Sequence, residues 1–395
     1  MNRWLTILLT WLSISANAQQ ARYAASLTLS ASNFVDTVTI EWEHNRIYVP
    51  VEIGGKHYRF LFDTGAAQSV VYADMPVGGC KPAGFIRSYD AVGGISSVPM
   101  VVLPPIRLGR LTLTGCQATI QQRPVKGHQM DGILGFNLIN SGLSVKIDVR
   151  HRQLILTDTK DFFNREQGLE TRYRLKYHVP YIEVSPFGQY KEPTLFDTGS
   201  RSIYAMSRQS FDACQQQAGS LMASQIEGRS MGRHAIGHSG VEERSEVVFL
   251  RLSQLRMCDF TLRNLHALTV QGESHLGAGI LNYGAVVFNP RKKRFRFQPY
   301  DQRLEAEAGN KQLDIAFVSE QGMPCVGLVW EQGKPYAQGF REGDIIVKID
   351  GRPVQDFNQF VGWAFERGRE YRFTVKNRQG ITREVKWVRI ENLKN

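Results

Sequence analysis

Hydrophobic and polar residues alternate along this chain in short runs, and the runs come in pairs joined by turn residues. Ile47 to Ile53, the turn Gly54-Gly55 and His57 to Phe62 read as strand, tight turn, strand. Tyr181 to Val184, a turn at Pro186 to Gly188 and Thr194 to Phe196 repeat that order. Further pairs stand at Ser144 to Asp148 with Gln153 to Leu156, and at Ala285 to Asn289 with Arg294 to Phe297. Short alternating runs of this kind predict a mainly β protein.

The pairs fall into two matching series. Leu61-Phe62-Asp63-Thr64-Gly65 returns unchanged as Leu195-Phe196-Asp197-Thr198-Gly199. Downstream, Asp131 to Asn140 with its core Ile133-Leu134-Gly135 is echoed by Glu273 to Asn282 with His275-Leu276-Gly277. An interval this long is the size of a domain and not of a solenoid unit, so a whole lobe is duplicated.

An apolar strand ending in Asp-Thr-Gly, followed by an apolar-apolar-Gly strand, resembles the pepsin and retropepsin aspartic peptidases over about residues 45 to 300. The resemblance implies a bilobal, pepsin-like fold of tandem β-barrel lobes, with Asp63 and Asp197 as the catalytic pair. It makes Thr64, Gly65, Thr198, Gly199 and Ser200 the support of that pair, with Ile133, Leu134, Gly135, Leu276 and Gly277 as bracing strands. Ala66 stands where pepsins often have Ser. His275 replaces an apolar residue, and a packed or partly exposed ring is expected there. Residues 88 to 98, with Gly93-Gly94, have the turn a covering flap needs, and 232 to 240 are the counterpart in the second lobe. Tyr89 either reaches the site or is an ordinary exposed strand residue.

The chemistry follows from the pair. Two carboxylates at hydrogen-bond distance share one proton and titrate together. One then takes a proton from water while the other donates to the scissile carbonyl oxygen. No metal or organic cofactor is needed, and His-Glu-x-x-His does not occur. The expected activity is that of an aspartic endopeptidase on polypeptides; the rival is an inactive exported peptide-binding adaptor.

After Pro299 the pattern changes. Residues 301 to 312 are polar and read as a linker, and an apolar series begins at Leu313. Ala337 to Gly351 resembles the helix-turn-strand centre of bacterial PDZ domains, an α+β fold. That resemblance makes Val326, Gly327 and Leu328 a loop for a peptide C-terminus, against the alternative of a unit that only packs on its enzyme. The divisions are then 1–18, 19–160, 161–300, 301–312 and 313–395.

Composition adds the compartment. Residues 1 to 18 combine Arg3, an apolar stretch from Trp4 to Leu12 and Ala16-Asn17-Ala18, a secretory leader, so a periplasmic or secreted protein without stable membrane insertion is expected. The net charge of +11 is scattered, and the basic run Arg291 to Arg294 sits between two strand-like runs as a solvated turn, so nucleic-acid binding is not expected. Cys80 follows Asp63 at the interval by which Cys214 follows Asp197. With an oxidising compartment this predicts one bridge per lobe, Cys80–Cys116 and Cys214–Cys258, with Cys325 unpaired; five reduced thiols are the alternative.

Overall fold

A computed structural model describes residues 27–75, 77–89, 94–123, 130–237, 240–309, 313–366 and 368–388. The leader pattern lies outside them. The protein is mainly β, and the predicted hairpins form. Arg46–Ile53 pairs antiparallel with Lys56–Phe62 around Gly54 and Gly55, both at positive φ where a side chain would be strained. Val179–Phe187 pairs with Tyr190–Asp197 in the same way, with its turn at Gly188. Each second strand buries its last apolar residues, Phe60 to Phe62 and Phe196, and delivers an aspartate at its end.

Each half then braces that strand. Gly132–Leu134 runs parallel to Lys56–Phe62 and antiparallel to Ser69–Tyr72. His275–Gly277 runs parallel to Tyr190–Asp197 and antiparallel to Tyr204–Ser207. The register is equivalent: Ile133 stands beside Leu61 and His275 beside Leu195. The brace forms in the second half despite the histidine.

A six-stranded sheet joins the halves, in the order Leu169–Arg172, Arg294–Pro299, Gly284–Asn289, Ser144–Asp148, Gln153–Thr157 and Val35–Thr39. Its central seam pairs Val145 with Phe288 and Ile147 with Val286, all buried. Phe136, Phe196, Phe288 and Phe295 pack edge to face beneath it, so one core runs through both halves. The basic run Arg291 to Lys293 forms the turn of this sheet's Gly284–Asn289 hairpin, as predicted.

Residues 313 to 388 build their own sheet, in the order Ile315–Glu320, Met323–Val329, Ile345–Ile349, Glu370–Lys376 and Thr382–Val388, around a core that includes Phe340, Phe373 and Trp387. Two expectations change here. Val326, Gly327 and Leu328 are not a loop: they lie buried in the strand Met323–Val329, where the Gly327 carbonyl accepts from Arg233 N at 2.7 Å. A Cβ on Gly327 would stand 2.3 Å from the Arg233 carbonyl, so the close approach of that backbone requires the glycine. The segment read as a linker is bound as well, because Glu305–Glu307 pairs parallel with Phe260–Val270. Residues 310 to 312 lie outside the described residues.

The two disulfides are not made, and all five cysteines are free. Equal intervals after the aspartates lead into unlike elements. Cys80 lies in the loop before Lys81–Tyr89, its thiol donating to the Val77 carbonyl at 3.4 Å, while Cys214 is buried inside the helix Arg208–Ala223. Cys258 occupies a turn at positive φ between Ser245–Met257 and Phe260–Val270. Burial pushes the Cys116 and Cys214 thiols up to about 11, so they remain protonated apolar residues. Cys325 is free and buried, as expected. No described helix is long and apolar enough to cross a membrane.

Candidate active site

The two Asp-Thr-Gly turns meet at the junction of the halves. Thr64 N donates to Thr198 Oγ1 at 3.0 Å, and Thr198 N donates to Thr64 Oγ1 at 3.0 Å. Each hydroxyl then donates across the junction, Thr64 to the Phe196 carbonyl at 2.6 Å and Thr198 to the Phe62 carbonyl at 2.7 Å. Both threonines are fully buried, and these bonds satisfy their hydroxyls and amides.

The grip holds Asp63 and Asp197 facing each other. Gly65 N and Ala66 N donate to Asp63 Oδ1 at 2.8 and 3.1 Å; Gly199 N and Ser200 N donate to Asp197 Oδ1 at 2.8 and 3.3 Å. A Cβ on Gly65 would lie 2.5 Å from Asp197 Oδ1, and one on Gly199 2.5 Å from Asp63 Oδ2. The glycines are therefore required by the approach of the opposite carboxylate. Burial, and then the charge of Asp197 and a hydrogen bond to it, push Asp63 well above the ordinary carboxylate range; burial also raises Asp197. The pair holds a proton that a lone exposed aspartate would release.

The braces fix the turns from below. Asp63 N donates to the Leu134 carbonyl at 3.0 Å and Phe136 N to the Ala66 carbonyl at 2.7 Å; Gly277 N donates to Ile203 and Ala278 N to Ser200, at 2.9 and 2.8 Å. Gly135 and Gly277 face backbone so closely that a Cβ would come within 2.6 Å of the Gln68 carbonyl and 2.4 Å of the Ser202 carbonyl. Ile133, Leu134 and Gly135 thus lie beside the first turn, and Leu276 and Gly277 beside the second. Ser200 Oγ turns to Ser202 Oγ at 2.9 Å.

The pair opens into a cleft of about 910 Å³. One wall is the hairpin Lys81–Tyr89 with Ile95–Val102, the expected flap, whose residues 90 to 93 lie outside the described residues. Tyr89 lines the cleft and stacks on Tyr177 of the second half, ring centroids 5.2 Å apart. The counterpart in the second half is the short hairpin Ile236–Gly237 with Gly240–Val241. His275 is a half-buried wall residue whose Nδ1 lies 3.1 Å from the Glu273 carbonyl, and burial lowers its pKa.

Sequence reasoning passed over several lining residues. Arg46, Gln68, Arg201 and His234 all face the cleft, as do Phe317, Phe357 and Trp363 of the C-terminal unit. Arg201 directly follows Ser200, a position that the motif itself could have flagged. The aromatic residues had no local signal, because their closeness to the aspartates is made only by tertiary packing. Among the described residues no group of His, Cys, Asp and Glu side chains is placed to hold a metal.

Comparison with known proteins bears on part of this arrangement. The aspartyl protease family model matches residues 49–138, which contain the first Asp-Thr-Gly turn and its brace. No curated protein matches the chain. Solved structures that match include the crystal structure of aspartic proteinase from Irpex lacteus, at 14% identity and a TM-score of 0.42, over 67% of this chain and 97% of that one. Residues 49–138 therefore carry an aspartic-peptidase-like pattern, and it is the chain's own geometry that adds the second aspartate.

Proposed function

We propose that the protein is an aspartic endopeptidase of bilobal, pepsin-like architecture, in which Asp63 and Asp197 activate a water for direct attack on a peptide bond. The observation that carries this is a pair of buried carboxylates with raised pKa values, locked by the reciprocal Thr64 and Thr198 bonds and opening into a cleft of about 910 Å³. The ionised member takes the water proton, the protonated member donates to the carbonyl oxygen, and the amine leaves after proton return. The C-terminal unit, of PDZ type, takes part in substrate selection: Phe317, Phe357 and Trp363 line the same cleft, and Ile236 of the second-half hairpin packs against its core. The leader at residues 1 to 18 supports work in an exported compartment.

The test is cleavage of a denatured protein and of a peptide library, read by mass spectrometry. Asp63→Asn and Asp197→Asn are each expected to lose at least about 10³-fold in kcat/KM while melting as the wild type does, since one carboxylate cannot be both acid and base. Substantial turnover by either variant removes the pair from the mechanism.

A further inference from the structure

The two halves set unlike side chains beside the aspartates. Ile133 and His275 occupy equivalent positions, in the same register against Leu61 and Leu195 and each two residues before the glycine packed on its turn, Gly135 or Gly277. Both line the cleft. Ile133 also pairs with Val70 and His275 with Ala205, which makes Tyr72 equivalent to Ser207 and Met130 to Gly272. In the first half Val70, Tyr72 and Met130 form one apolar cluster with Ile133 packed against it, and all of them line the cleft. At every one of these positions the second half has a smaller or a polar residue.

The imidazole of His275 has a defined free edge. Its Nδ1 lies 3.1 Å from the Glu273 carbonyl, which can only accept, so the proton sits on Nδ1 and Nε2 carries a lone pair. Among the described residues the ring makes no other hydrogen bond. It is half-buried in the cleft wall, with Nε2 on the open side. Burial lowers the His275 pKa, so the ring is uncharged in neutral solution. The neighbouring carboxylate is matched as well, since Glu273 pairs with Lys176 at 2.6 Å. Where the first wall offers Ile133, the second therefore offers an uncharged hydrogen-bond acceptor.

An extended chain turns successive side chains to opposite sides, so the two residues flanking a bond held at Asp63 and Asp197 face one wall each. We infer that these two residues are bound by unlike chemistry: Ile133 and its cluster take an apolar side chain, and His275 Nε2 accepts a hydrogen bond from a hydroxyl or carboxamide side chain. His275 is thus a specificity-determining residue. This rests on the endopeptidase reading above. An aliphatic side chain of the same shape shuts water away from the imidazole nitrogen and leaves it unpaired, which costs binding that the donor-bearing side chain keeps.

The full chain is given fluorogenic peptides with Leu on one side of the bond and Thr, Val, Asn or Leu on the other, in both orders. Thr against Val, and Asn against Leu, differ chiefly in the hydrogen-bonding group. The expected result is one side on which Thr exceeds Val, and Asn exceeds Leu, by at least about tenfold in kcat/KM, with the apolar residues preferred on the other. His275→Val brings that ratio toward one, and His275→Gln keeps part of it because the amide oxygen accepts. Val and Leu equal to or better than Thr and Asn on both sides overturn the inference and leave the peptidase standing. A donor preference that survives undiminished in His275→Val overturns it too. Should the wild type cleave nothing, the endopeptidase reading falls, and the same peptides are titrated by fluorescence anisotropy. A Thr over Val preference in Kd that His275→Val abolishes then supports the subsite without the chemistry, and equal Kd values overturn it.

Discussion

Around Asp63 the turn is held from Gly65 and Ala66, and around Asp197 from Gly199 and Ser200, with bond lengths that differ by 0.2 Å at most (2.8 and 3.1 Å against 2.8 and 3.3 Å). Outside the turns the two halves diverge. The first brace is backed by Ser69, which donates to Asn137 Oδ1 at 3.1 Å and accepts from Gly135 N at 3.2 Å. The second is backed by the buried Glu192, which takes hydrogen bonds from Tyr204 and Ser274. The first flap meets the opposite half through Tyr89 and Tyr177, whereas the second hairpin is anchored in the C-terminal unit. Symmetry is kept where the two carboxylates face each other and is lost in the elements behind the braces and in the cleft walls.

The largest expected effect tests the symmetric part. Gly65→Ala and Gly199→Ala each drive a methyl group into the opposite aspartate, so both are expected to lose at least about 10²-fold in kcat/KM. Matching losses sharpen the equivalence of the turns, and a variant that keeps full activity breaks it. Next come Thr64→Val and Thr198→Val, which remove a buried hydroxyl that both donates and accepts. Each should lower unfolding free energy in urea by about 2–4 kcal/mol, by equal amounts. Unequal losses would show that one half bears the junction.

The smallest effect belongs to the asymmetric part, His275→Val. Burial holds the His275 pKa below its ordinary 6.5, so the folded protein binds its proton less readily than the unfolded chain does. The neutral ring is accommodated fully above pH 6.5, and stability falls as pH drops from there through the lowered folded value. Melting curves of wild type and variant should therefore separate below that pH, the variant gaining about 1–2 °C there and little at pH 8. Parallel curves across the range would mean that the ring is not the source.

Much of this geometry could be read from sequence because it is local. Strand pairs, the glycine turns and the Asp-Thr-Gly with its brace each lie within a short window, and the duplication supplied a second reading of every element. What could not be read is what separate windows build together. Gly327 looks like a loop glycine until Arg233 is seen against it. Cys80 and Cys214 look equivalent until one falls in a loop and the other in a helix. Trp330 gives no sign of the second half, yet its ring lies 5.8 Å from that of Phe249, joining the C-terminal unit to that half. Asn45 and Arg201 are far apart in the chain and meet only because the Asn45 turn crosses the junction.

The sheet shared by the halves also governs the order in which this chain can mature as it is synthesised. Ser144–Asp148 gains one neighbour at once, from Gln153–Thr157, but its other edge waits for Gly284–Asn289. At translation speeds of about 5–20 residues per second that wait is on the order of ten seconds. Throughout it the nascent protein presents an apolar strand with open hydrogen-bonding groups, the kind of edge that recruits foreign strands. A ribosome that stalls between the two segments leaves that edge uncapped, and only the arrival of the late hairpin closes it.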